Sequence, residues 1–451
     1  MKQTHSAVIC GAGIAGVSAA YFLSKAGVRD ILLVDERPPL SLTSDRSTEC
    51  YRNWWPDAGM LALMNRSIDL MEALADESGN IFRLNRRGYL YLTGAQSRIP
   101  ALIERARETA RLGGGDLRIH TAGNSSYAPA PAEGFHGQPA GADLLLGHEI
   151  IQQYYPYLAG QTAAALHVRR AGWLSAQQLG IYMLEQARRA GVQLARARVS
   201  AVDTSGGCVK GVTLASGERV SAPVFVNAAG PYLGEVGRLL GPQLPVYTEL
   251  HLKVVIKDSL SVVGRDAPLL IWDDPQRLPW TEQEKQALMA EAESRWLTEP
   301  FPPGAHTRPE GGKDSQNIIL LWEYKTAVVE PVWPPPLDDL YPEVALRGLS
   351  TMLPGLRGYF EHMPRPQLDG GYYTRTTENR ALIGPAGVQG AYVLGALSGY
   401  GIMSACGAGD LMAGHVLGAA LPGYAQHFEL SRYEDPLYLS RMAELDQSGQ
   451  L

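Results

Sequence analysis

The sequence predicts an α/β protein in which a parallel sheet near the N terminus is joined to an antiparallel sheet. Two apolar runs of strand length, residues 7–10 and 31–34, flank a predicted helix over residues 17–26. Apolar strands around a helix are typical of a parallel sheet that is buried on both faces. Residues 250–256 alternate between polar and apolar side chains, which predicts a strand of an antiparallel sheet.

Length and composition predict a globular protein with two domains. The chain has 451 residues, of which 45% are hydrophobic and 19% are charged, and its formal net charge is -6. A chain of this length is too long to fold around one compact core. Its lysines and arginines form no block, so we expect no nucleic-acid partner. Helical patterns extend over residues 173–190 and 281–296.

The cysteines and the apolar segments bear on the cellular location. The chain has four cysteines, which are far apart: Cys10, Cys50, Cys208 and Cys406. This spacing argues against a zinc site, a disulfide framework or a redox dithiol, and it favours the cytoplasm. The segment most similar to a membrane span, residues 391–421, contains Asp410 and His415. We therefore expect buried core there and no integral membrane segment.

A glycine-rich turn follows the first apolar strand and opens the predicted helix. It matches the pattern G-x-G-x-x-G with the residues Gly11, Ala12, Gly13, Ile14, Ala15 and Gly16. Gly11 permits a tight turn, Gly13 lets the backbone approach a diphosphate, and Gly16 allows close packing of helix and strand. The helix start offers free N–H groups and the positive end of the helix dipole, so the turn predicts a dinucleotide site.

An acidic residue ends the second apolar strand. Asp35 lies about 20 positions after Gly16, where a carboxylate can accept hydrogen bonds from both hydroxyls of a ribose. A carboxylate would repel a 2′-phosphate, which disfavours NADP. Glu36 is a second acid that either contacts the ribose or is solvated.

Later segments favour FAD over NAD as the dinucleotide. Residues 41–55 are rich in hydroxyl side chains that suit a polar ring edge or phosphates, among them Thr43, Ser44, Ser47 and Thr48. The strand over residues 226–232 ends in small residues that a flat cofactor can approach, Ala229 and Gly230. A glycine-punctuated turn before a helix can hold the electron-rich edge of a reduced isoalloxazine, and it includes Gly399, Tyr400, Gly401, Ile402 and Met403.

Together, the N-terminal fingerprint, the strand end at 227–231 and the turn at 396–401 resemble the D-amino-acid oxidase, glycine oxidase and sarcosine oxidase superfamily of FAD-dependent oxidoreductases. The order of these segments matches that superfamily, and the segment 172–192 resembles it too. The resemblance implies a Rossmann-like FAD-binding domain of the glutathione-reductase type and an antiparallel substrate domain, and it places Val199 near the adenine. The implied FAD-binding domain is discontinuous, over 1–85, 150–240 and 372–451, and the implied substrate domain covers 86–149 and 241–371.

The sequence departs from the superfamily pattern at two positions. Monomeric sarcosine oxidases attach the flavin through a cysteine just before a Tyr-Thr pair, whereas here Gly371 and Tyr372 precede Tyr373. We therefore expect non-covalent FAD. Those enzymes also carry a lysine for the substrate carboxylate where this chain has Met403, which argues against a small N-methyl amino acid held in that way.

The candidate catalytic residues lie on two predicted strands. Glu249, His251 and Lys253 alternate and so project from one face. The resemblance places this strand near the flavin, where His251 could shift the amine proton and Lys253 could stabilise superoxide in an oxidase. The alternative is a solvated face with a Glu–Lys pair. Tyr373 either faces the substrate pocket or is a buried structural tyrosine.

The candidate substrate-binding residues are Arg52, Tyr372, Tyr373, Arg375 and Trp322. An arginine can bind a substrate carboxylate with bidentate geometry, although for Arg52 and Arg375 a surface or interdomain salt bridge is the favoured alternative. Trp322 could wall the pocket or belong to the core. The pair Asp273–Asp274 is more typical of a turn than of a metal site, so we expect no metal.

The resemblance implies that the protein oxidises the C–N bond of a small amine or amino acid by hydride transfer to flavin N5, giving an imine that hydrolyses. The electrons then pass to O2 or another acceptor. The alternatives are a non-catalytic or assembly-type FAD-binding protein, and a dehydrogenase with a partner other than O2. An NADH-dependent disulfide reductase or monooxygenase would need a second dinucleotide fold or a C-x-x-C pair, and the sequence has neither.

Overall fold

The computed structural model describes residues 4–241 and 243–442. The helices are α1 Ile14–Lys25, α2 Ala58–Ser78, α3 Ile99–Thr109, α4 His148–Tyr154, α5 Ala176–Arg189, α6 Leu233–Gly237, α7 Glu282–Ala290, α8 Tyr341–Leu349, α9 Gly401–Leu417 and α10 Pro436–Arg441. The strands are β1 Ala7–Cys10, β2 Ile31–Asp35, β3 Cys50–Arg52, β4 Tyr89–Thr93, β5 Leu117–His120, β6 Ala142–Leu146, β7 Ala164–Val168, β8 Ala171–Trp173, β9 Gln193–Arg196, β10 Val199–Ser205, β11 Cys208–Leu214, β12 Arg219–Ser221, β13 Phe225–Asn227, β14 Tyr247–Lys257, β15 Leu269–Trp272, β16 Ala305–Glu310, β17 Asn317–Leu321, β18 Gln367–Arg375, β19 Leu382–Pro385 and β20 Ala391–Gly395.

A six-stranded sheet in the described residues has the order β19-β20-β13-β1-β2-β9. Its neighbouring strands are parallel, except that β19 is antiparallel to β20. Ile9 and Leu33 face a core formed with α1, α2, α5 and α9, whereas Val8 and Leu32 face the small sheet β10-β11-β12. The sheet is therefore buried on both faces, which confirms the prediction from its apolar strands.

A mixed nine-stranded sheet in the same residues has the order β18-β14-β17-β16-β15-β4-β7-β6-β5. Its strand pairs are antiparallel apart from β15 with β4 and β5 with β6. Strand β14 pairs with β18 along most of its length and with β17 towards its end. Val254, Ile256 and Leu320 are buried with residues of α8 on one face of this sheet. The combination of parallel and antiparallel sheets confirms the predicted α/β class.

Strand pairing bears on the predicted domain boundaries. Strand β7 lies between β4 and β6 of the nine-stranded sheet, although residues 150–240 were expected to belong to the FAD-binding domain. Strand β18 likewise pairs with β14 beyond the expected boundary at 372. Backbone hydrogen bonds tie these segments to the large sheet. The division into domains stays a prediction, and the pairing favours boundaries after Val168 and after Arg375.

The predicted helices differ from the observed ones mainly at their ends. The helix expected over 281–296 begins in a capping box between Thr281 and Glu284 but ends at Ala290. None of the residues of α7 is buried, so no packing against the core extends it. The helix expected over 173–190 begins at Ala176, where the Ser175 side chain accepts a hydrogen bond from the N–H of Gln178. Among the described residues, no helix has both the length and the apolar composition needed to cross a bilayer.

Candidate active site

A cleft opens at the carboxyl ends of β1, β2 and β13. We call it the dinucleotide cleft, and its lining includes Gly11, Gly13, Ile14, Ala15, Asp35, Glu36, Leu42, Thr43, Ser44, Val199, Ala229, Gly230 and Ser398. A second cavity, the ring cavity, continues from it and is lined by Ile14, Thr43, Ser44, Ser47, Thr48, Lys253, Gly399, Gly401 and Ile402 among others. Ligands of open α/β sheets commonly bind at strand carboxyl ends, so this cleft is where a dinucleotide is expected.

A third cavity, the inner cavity, lies beyond the ring cavity. It is lined by Thr48, Cys50, Tyr89, His251, Leu252, Leu269, His306, Leu321, Trp322, Glu323, Tyr373, Gly399 and Met403. His251, Tyr373 and Gly399 line both cavities and form the junction between them. Strands β14, β16, β17 and β18 of the large sheet thus supply side chains next to the space where a cofactor ring would lie.

The glycine-rich turn forms the floor of the dinucleotide cleft. Gly11 has a φ of +107°, and a Cβ built on it would lie 2.4 Å from the carbonyl oxygen of Ala228. Only glycine fits that position. Gly13, Ile14 and Ala15 line the cleft at the start of α1, so the positive end of the helix dipole lies against it. The turn therefore fits an anionic diphosphate.

The acidic end of β2 lies at the centre of the dinucleotide cleft. The Asp35 carboxylate accepts hydrogen bonds from the backbone N–H groups of Ala12 at 2.7 Å and Arg37 at 2.9 Å. These bonds fix its orientation, and the carboxylate has further lone pairs for ribose hydroxyls. Glu36 is exposed and lies 3.4 Å from Arg37 at one end of the cleft, near Val199.

The ring cavity combines a close backbone surface with a half-buried lysine, Lys253. A Cβ built on Gly399 would lie 2.7 Å from Cε2 of Tyr373, so a larger residue would fill the junction between the cavities. The Lys253 ammonium donates to the backbone oxygen of Ser47 at 3.0 Å. Burial lowers the pKa of Lys253. Helix α9 begins at Gly401, so the start of its dipole also faces this cavity.

A few predicted cofactor-binding residues lie elsewhere. Ala12 and Gly16 are packed inside the turn, where a Cβ on Gly16 would lie 1.8 Å from the oxygen of Gly11. Tyr400 is buried, and its hydroxyl donates to the backbone oxygen of Asn379 at 3.2 Å, so it supports the turn instead of lining the cavity. Met403 lines the inner cavity. The other predicted cofactor-binding residues line the cleft or the ring cavity.

A row of charged side chains crosses the large sheet and ends in the inner cavity. The Arg375 guanidinium lies 2.7 Å from Glu249, and Glu249 lies 3.2 Å from Nε2 of His251. Nδ1 of His251 lies 3.1 Å from the Glu323 carboxylate. The His251 ring also stacks on Tyr373, with centroids 3.8 Å apart. The structure therefore brings the four predicted catalytic residues to one region, three of them in this stacked and hydrogen-bonded group.

The two carboxylates keep His251 protonated. Burial alone would lower its pKa, but Glu323 and Glu249 outweigh burial and raise the pKa of His251 to about 9. Burial would raise the pKa of both glutamates, and their bonds to His251 instead hold the pKa of each below its ordinary range. An imidazolium has no lone pair, so His251 in this state donates hydrogen bonds from both ring nitrogens, and its effect on the amine proton stays a prediction.

A second histidine of the inner cavity was missed by the sequence analysis. His306 is buried on β16, opposite Leu321 of β17. Its Nδ1 lies 2.7 Å from the carbonyl oxygen of Gly304, which can only accept, so Nδ1 carries the proton. Burial lowers the pKa of His306, which leaves Nε2 as an acceptor. Nothing in the sequence near position 306 links it to residues 251 or 323, because the sheet pairing alone brings them together.

The predicted substrate-binding residues divide into two groups. Tyr373 and Trp322 line the inner cavity, and the Trp322 indole N–H donates to the backbone oxygen of Pro302 at 3.2 Å. Tyr372 lines the dinucleotide cleft and exchanges hydrogen bonds with the backbone of Val332. Arg375 pairs with Glu249, and the Arg52 guanidinium lies 4.5 Å from the Trp55 ring centroid. Both arginines thus contact other parts of the protein, and their binding of substrate stays a prediction.

Comparison with known families decides the class of the protein. A family described as DAO, FAD dependent oxidoreductase, matches residues 6–414. The chain belongs to this family. It is therefore an FAD-dependent oxidoreductase, and FAD is the dinucleotide that its fold binds. The resemblance derived from the fingerprint, the strand end and the late turn is confirmed.

Relatives of this oxidoreductase include enzymes that act on amines. Human mitochondrial dimethylglycine dehydrogenase is 24% identical over 314 residues, which cover 67% of this chain and 33% of that protein. The chain thus spans a minor part of this relative's length. Crystal structures of L-proline dehydrogenase from P. horikoshii and of glycine oxidase from Geobacillus kaustophilus superpose with TM-scores of 0.73 and 0.72. Each covers 96% of this chain and 99% of the other, at 18% and 15% identity respectively, and these structures show the shared fold.

Proposed function

We propose that this FAD-dependent oxidoreductase oxidises the C–N bond of a small amine or amino acid in the inner cavity. The observation that carries the proposal is the junction at His251, Tyr373 and Gly399, where the inner cavity meets the ring cavity. A substrate in the inner cavity would thereby have one side against protein side chains and the other towards the cofactor ring. FAD, when bound, takes up the hydride of the substrate carbon, and the resulting imine hydrolyses.

The dinucleotide cleft supplies the residues that would hold FAD. Gly13, Ile14 and Ala15 would bind the diphosphate at the start of α1, and Asp35 would accept the ribose hydroxyls. Val199 lines the far end of the cleft, where the adenine would lie. Ser47, Thr48 and Gly401 would surround the ring. The backbone turn, the helix dipole and the acidic residue together fit FAD without a covalent bond.

The charged row supplies positive charge where the two cavities meet. His251 is protonated and fixed between Glu249 and Glu323, and Lys253 lies in the ring cavity. Both cations would favour negative charge on the ring side of the junction, which hydride uptake creates. Tyr373 stacks on His251 and would keep the imidazolium in place. Burial raises the pKa of the Tyr373 phenol, so its hydroxyl stays protonated.

The names of similar proteins support an amine or amino acid as the substrate. The human relative is a dimethylglycine dehydrogenase, and the structural neighbours are an L-proline dehydrogenase and a glycine oxidase. Each name refers to a compound with a C–N bond next to a carboxylate. Dehydrogenases and an oxidase both occur among them, so the proposal covers O2 and other electron acceptors alike.

An anaerobic reduction screen tests the proposed function. The purified protein, loaded with FAD, is mixed without oxygen with primary amines, secondary amines and amino acids, and its visible absorbance is followed. The proposal expects bleaching by at least one amine or amino acid and no bleaching by NADH, the control reductant. Admission of air then separates an oxidase, whose colour returns at once, from a dehydrogenase. A protein that NADH bleaches while every amine and amino acid leaves it yellow would contradict the proposal.

A further inference from the structure

We infer that the inner cavity selects amines that carry no carboxylate next to the nitrogen, and that Glu323 and His306 accept the N–H groups of the substrate. This inference rests on the proposed function, since it concerns the same cavity. It narrows the substrate from amines and amino acids to amines with apolar substituents. His306 was not among the residues that the sequence analysis selected for the site.

The inner cavity lacks a cation that is available to a carboxylate. Among the described residues, no lysine or arginine lines it. The imidazolium of His251 has two N–H groups, and they lie 3.2 Å from Glu249 and 3.1 Å from Glu323. Both donors of the cavity's cation are therefore engaged by carboxylates of the protein. A substrate carboxylate would be buried without the charge-assisted donors that such a group requires.

Two groups of the inner cavity instead act as acceptors. The Glu323 carboxylate contacts one edge of His251, and a carboxylate can accept hydrogen bonds from several N–H groups, including those of an ammonium. His306 donates from Nδ1 to Gly304, which leaves the lone pair of Nε2. His306 lies on β16 opposite Leu321, the last residue of β17, and Glu323 follows two positions after the end of β17, so sheet pairing brings the two acceptors to the same cavity. They suit a substrate that presents more than one N–H.

The remaining walls favour apolar substituents. Leu269, Leu321 and Met403 are buried alkyl side chains of the cavity, and Tyr89, Trp322 and Tyr373 are its aromatic side chains. Aromatic faces attract a cation as well as apolar groups, so they add to the preference for an ammonium. The lining thus combines an acceptor pair with a hydrophobic surround, as a site for an alkyl or arylalkyl amine requires.

A matched pair of unreactive ligands tests the inference by binding alone. tert-Butylamine has a methyl group where 2-aminoisobutyrate has a carboxylate, and the two compounds are otherwise the same. Neither has a hydrogen on the carbon next to nitrogen, so neither can be oxidised there. Their dissociation constants are measured from the change in the flavin absorption spectrum of the FAD-loaded protein. We expect tert-butylamine to bind at least about tenfold more tightly. Equal or tighter binding of 2-aminoisobutyrate, or no spectral change with either ligand, would overturn the inference.

Two variants test whether Glu323 and His306 bind the amine. Glu323→Gln is expected to weaken tert-butylamine about tenfold, and His306→Phe to weaken it as well. Glu149→Gln, on the exposed surface of α4, is the matched control and should leave the constant unchanged. Flavin content and melting temperature show whether each variant is folded. If Glu323→Gln does not fold, His306→Phe still tests the assignment. Wild-type affinity in a folded Glu323→Gln or His306→Phe protein would contradict the assignment.

The outcomes separate this inference from the proposed function. If amines bind in the spectral titration but no amine or amino acid bleaches the flavin, the proposed function is contradicted, while the measured selectivity for amines stands. Bleaching by amino acids alone, with their amine counterparts inactive, would support the proposed function and overturn the inference.

Discussion

The dinucleotide cleft and the inner cavity are built in different ways. Backbone groups and small residues at the strand ends form much of the cleft, and its turn depends on close contacts such as that of Gly11 with Ala228. Side chains from several strands of the large sheet form the inner cavity, and their charges are arranged by mutual contact, as in His251 between Glu249 and Glu323. The cleft therefore suits a cofactor common to a family, whereas the inner cavity is the site that we propose for the substrate.

The largest effect is expected from a substitution that weakens FAD binding in the dinucleotide cleft and leaves the inner cavity intact. Gly13→Asp places a carboxylate at the start of α1, where the diphosphate of FAD would lie. We expect FAD affinity to fall about 1,000-fold, or about 4 kcal/mol, because charge-assisted hydrogen bonds to the diphosphate are lost and like charges meet. Flavin content after purification and a fluorescence titration measure it.

The matched control for Gly13→Asp is Gly123→Asp. A Cβ on Gly123 meets nothing within 4 Å. The control should retain wild-type flavin content. A Gly13→Asp protein that is as yellow as the wild type would show that FAD is bound elsewhere.

The next expected effect concerns the charged row of the inner cavity. The pKa of His251 is raised to about 9 in the folded protein from an ordinary 6.5. The protonated histidine therefore contributes fully to stability below about pH 6.5, and this contribution is lost as the pH rises through about 9. We expect the free energy of unfolding of the wild type to fall by about 3 kcal/mol between about pH 6 and pH 10 because of this histidine, and we expect His251→Gln to lack that fall. Urea unfolding at the two pH values measures it.

His362→Gln is the control for that pH dependence, because His362 is exposed. It should unfold with the wild-type pH dependence. An unchanged pH dependence in His251→Gln would mean that the two glutamates do not hold a proton on this histidine.

A smaller effect is expected at the boundary between the two regions. Lys253→Met removes a cation from the ring cavity, so the reduced, more negative flavin is less stabilised. We expect a midpoint potential about 30 mV more negative, which for a two-electron couple equals about 1.4 kcal/mol. Equilibration with redox dyes measures it. Lys257→Met, at the exposed end of the same strand, should keep the wild-type potential, and a shift as large in that variant would place the effect outside the ring cavity.

The smallest effects distinguish the two acids at the end of β2. Asp35→Asn is expected to weaken FAD about tenfold, because Asp35 is held by the N–H groups of Ala12 and Arg37 at the centre of the cleft. Glu36→Gln is expected to change the affinity less than about twofold, since Glu36 is exposed and pairs with Arg37 at the surface. A fluorescence titration of FAD measures both. Equal losses in the two variants would contradict the distinction.

The contrast between the regions also explains what the sequence could predict. The glycine-rich turn, Asp35 and the helix start are neighbours in the chain or in one strand–helix–strand unit, so local patterns specify their geometry. The alternation along β14 likewise predicted that His251 and Lys253 share a face. The predicted length of α7 was wrong because its capping box specifies where the helix begins, whereas the exposed residues that follow do not specify where it ends.

The inner cavity depended on pairings that local patterns do not contain. His306, Glu323 and His251 line one cavity because β14, β16 and β17 are neighbours in the large sheet. The proton on His251 results from Glu249 on the same strand and from Glu323 beyond the end of β17, so the sequence could identify the residue but not its charge. Arg375 shows the same limit, since its partner Glu249 lies on the adjacent strand.

An experimental structure of the FAD-loaded protein with tert-butylamine tests the central claim most directly. The claim predicts the diphosphate at Gly13 and Ile14, the ring between Gly401 and Lys253, and the amine nitrogen within hydrogen-bond distance of Glu323. A flavin ring that lies away from the junction at His251, Tyr373 and Gly399, or one with no open path to the inner cavity, would contradict it.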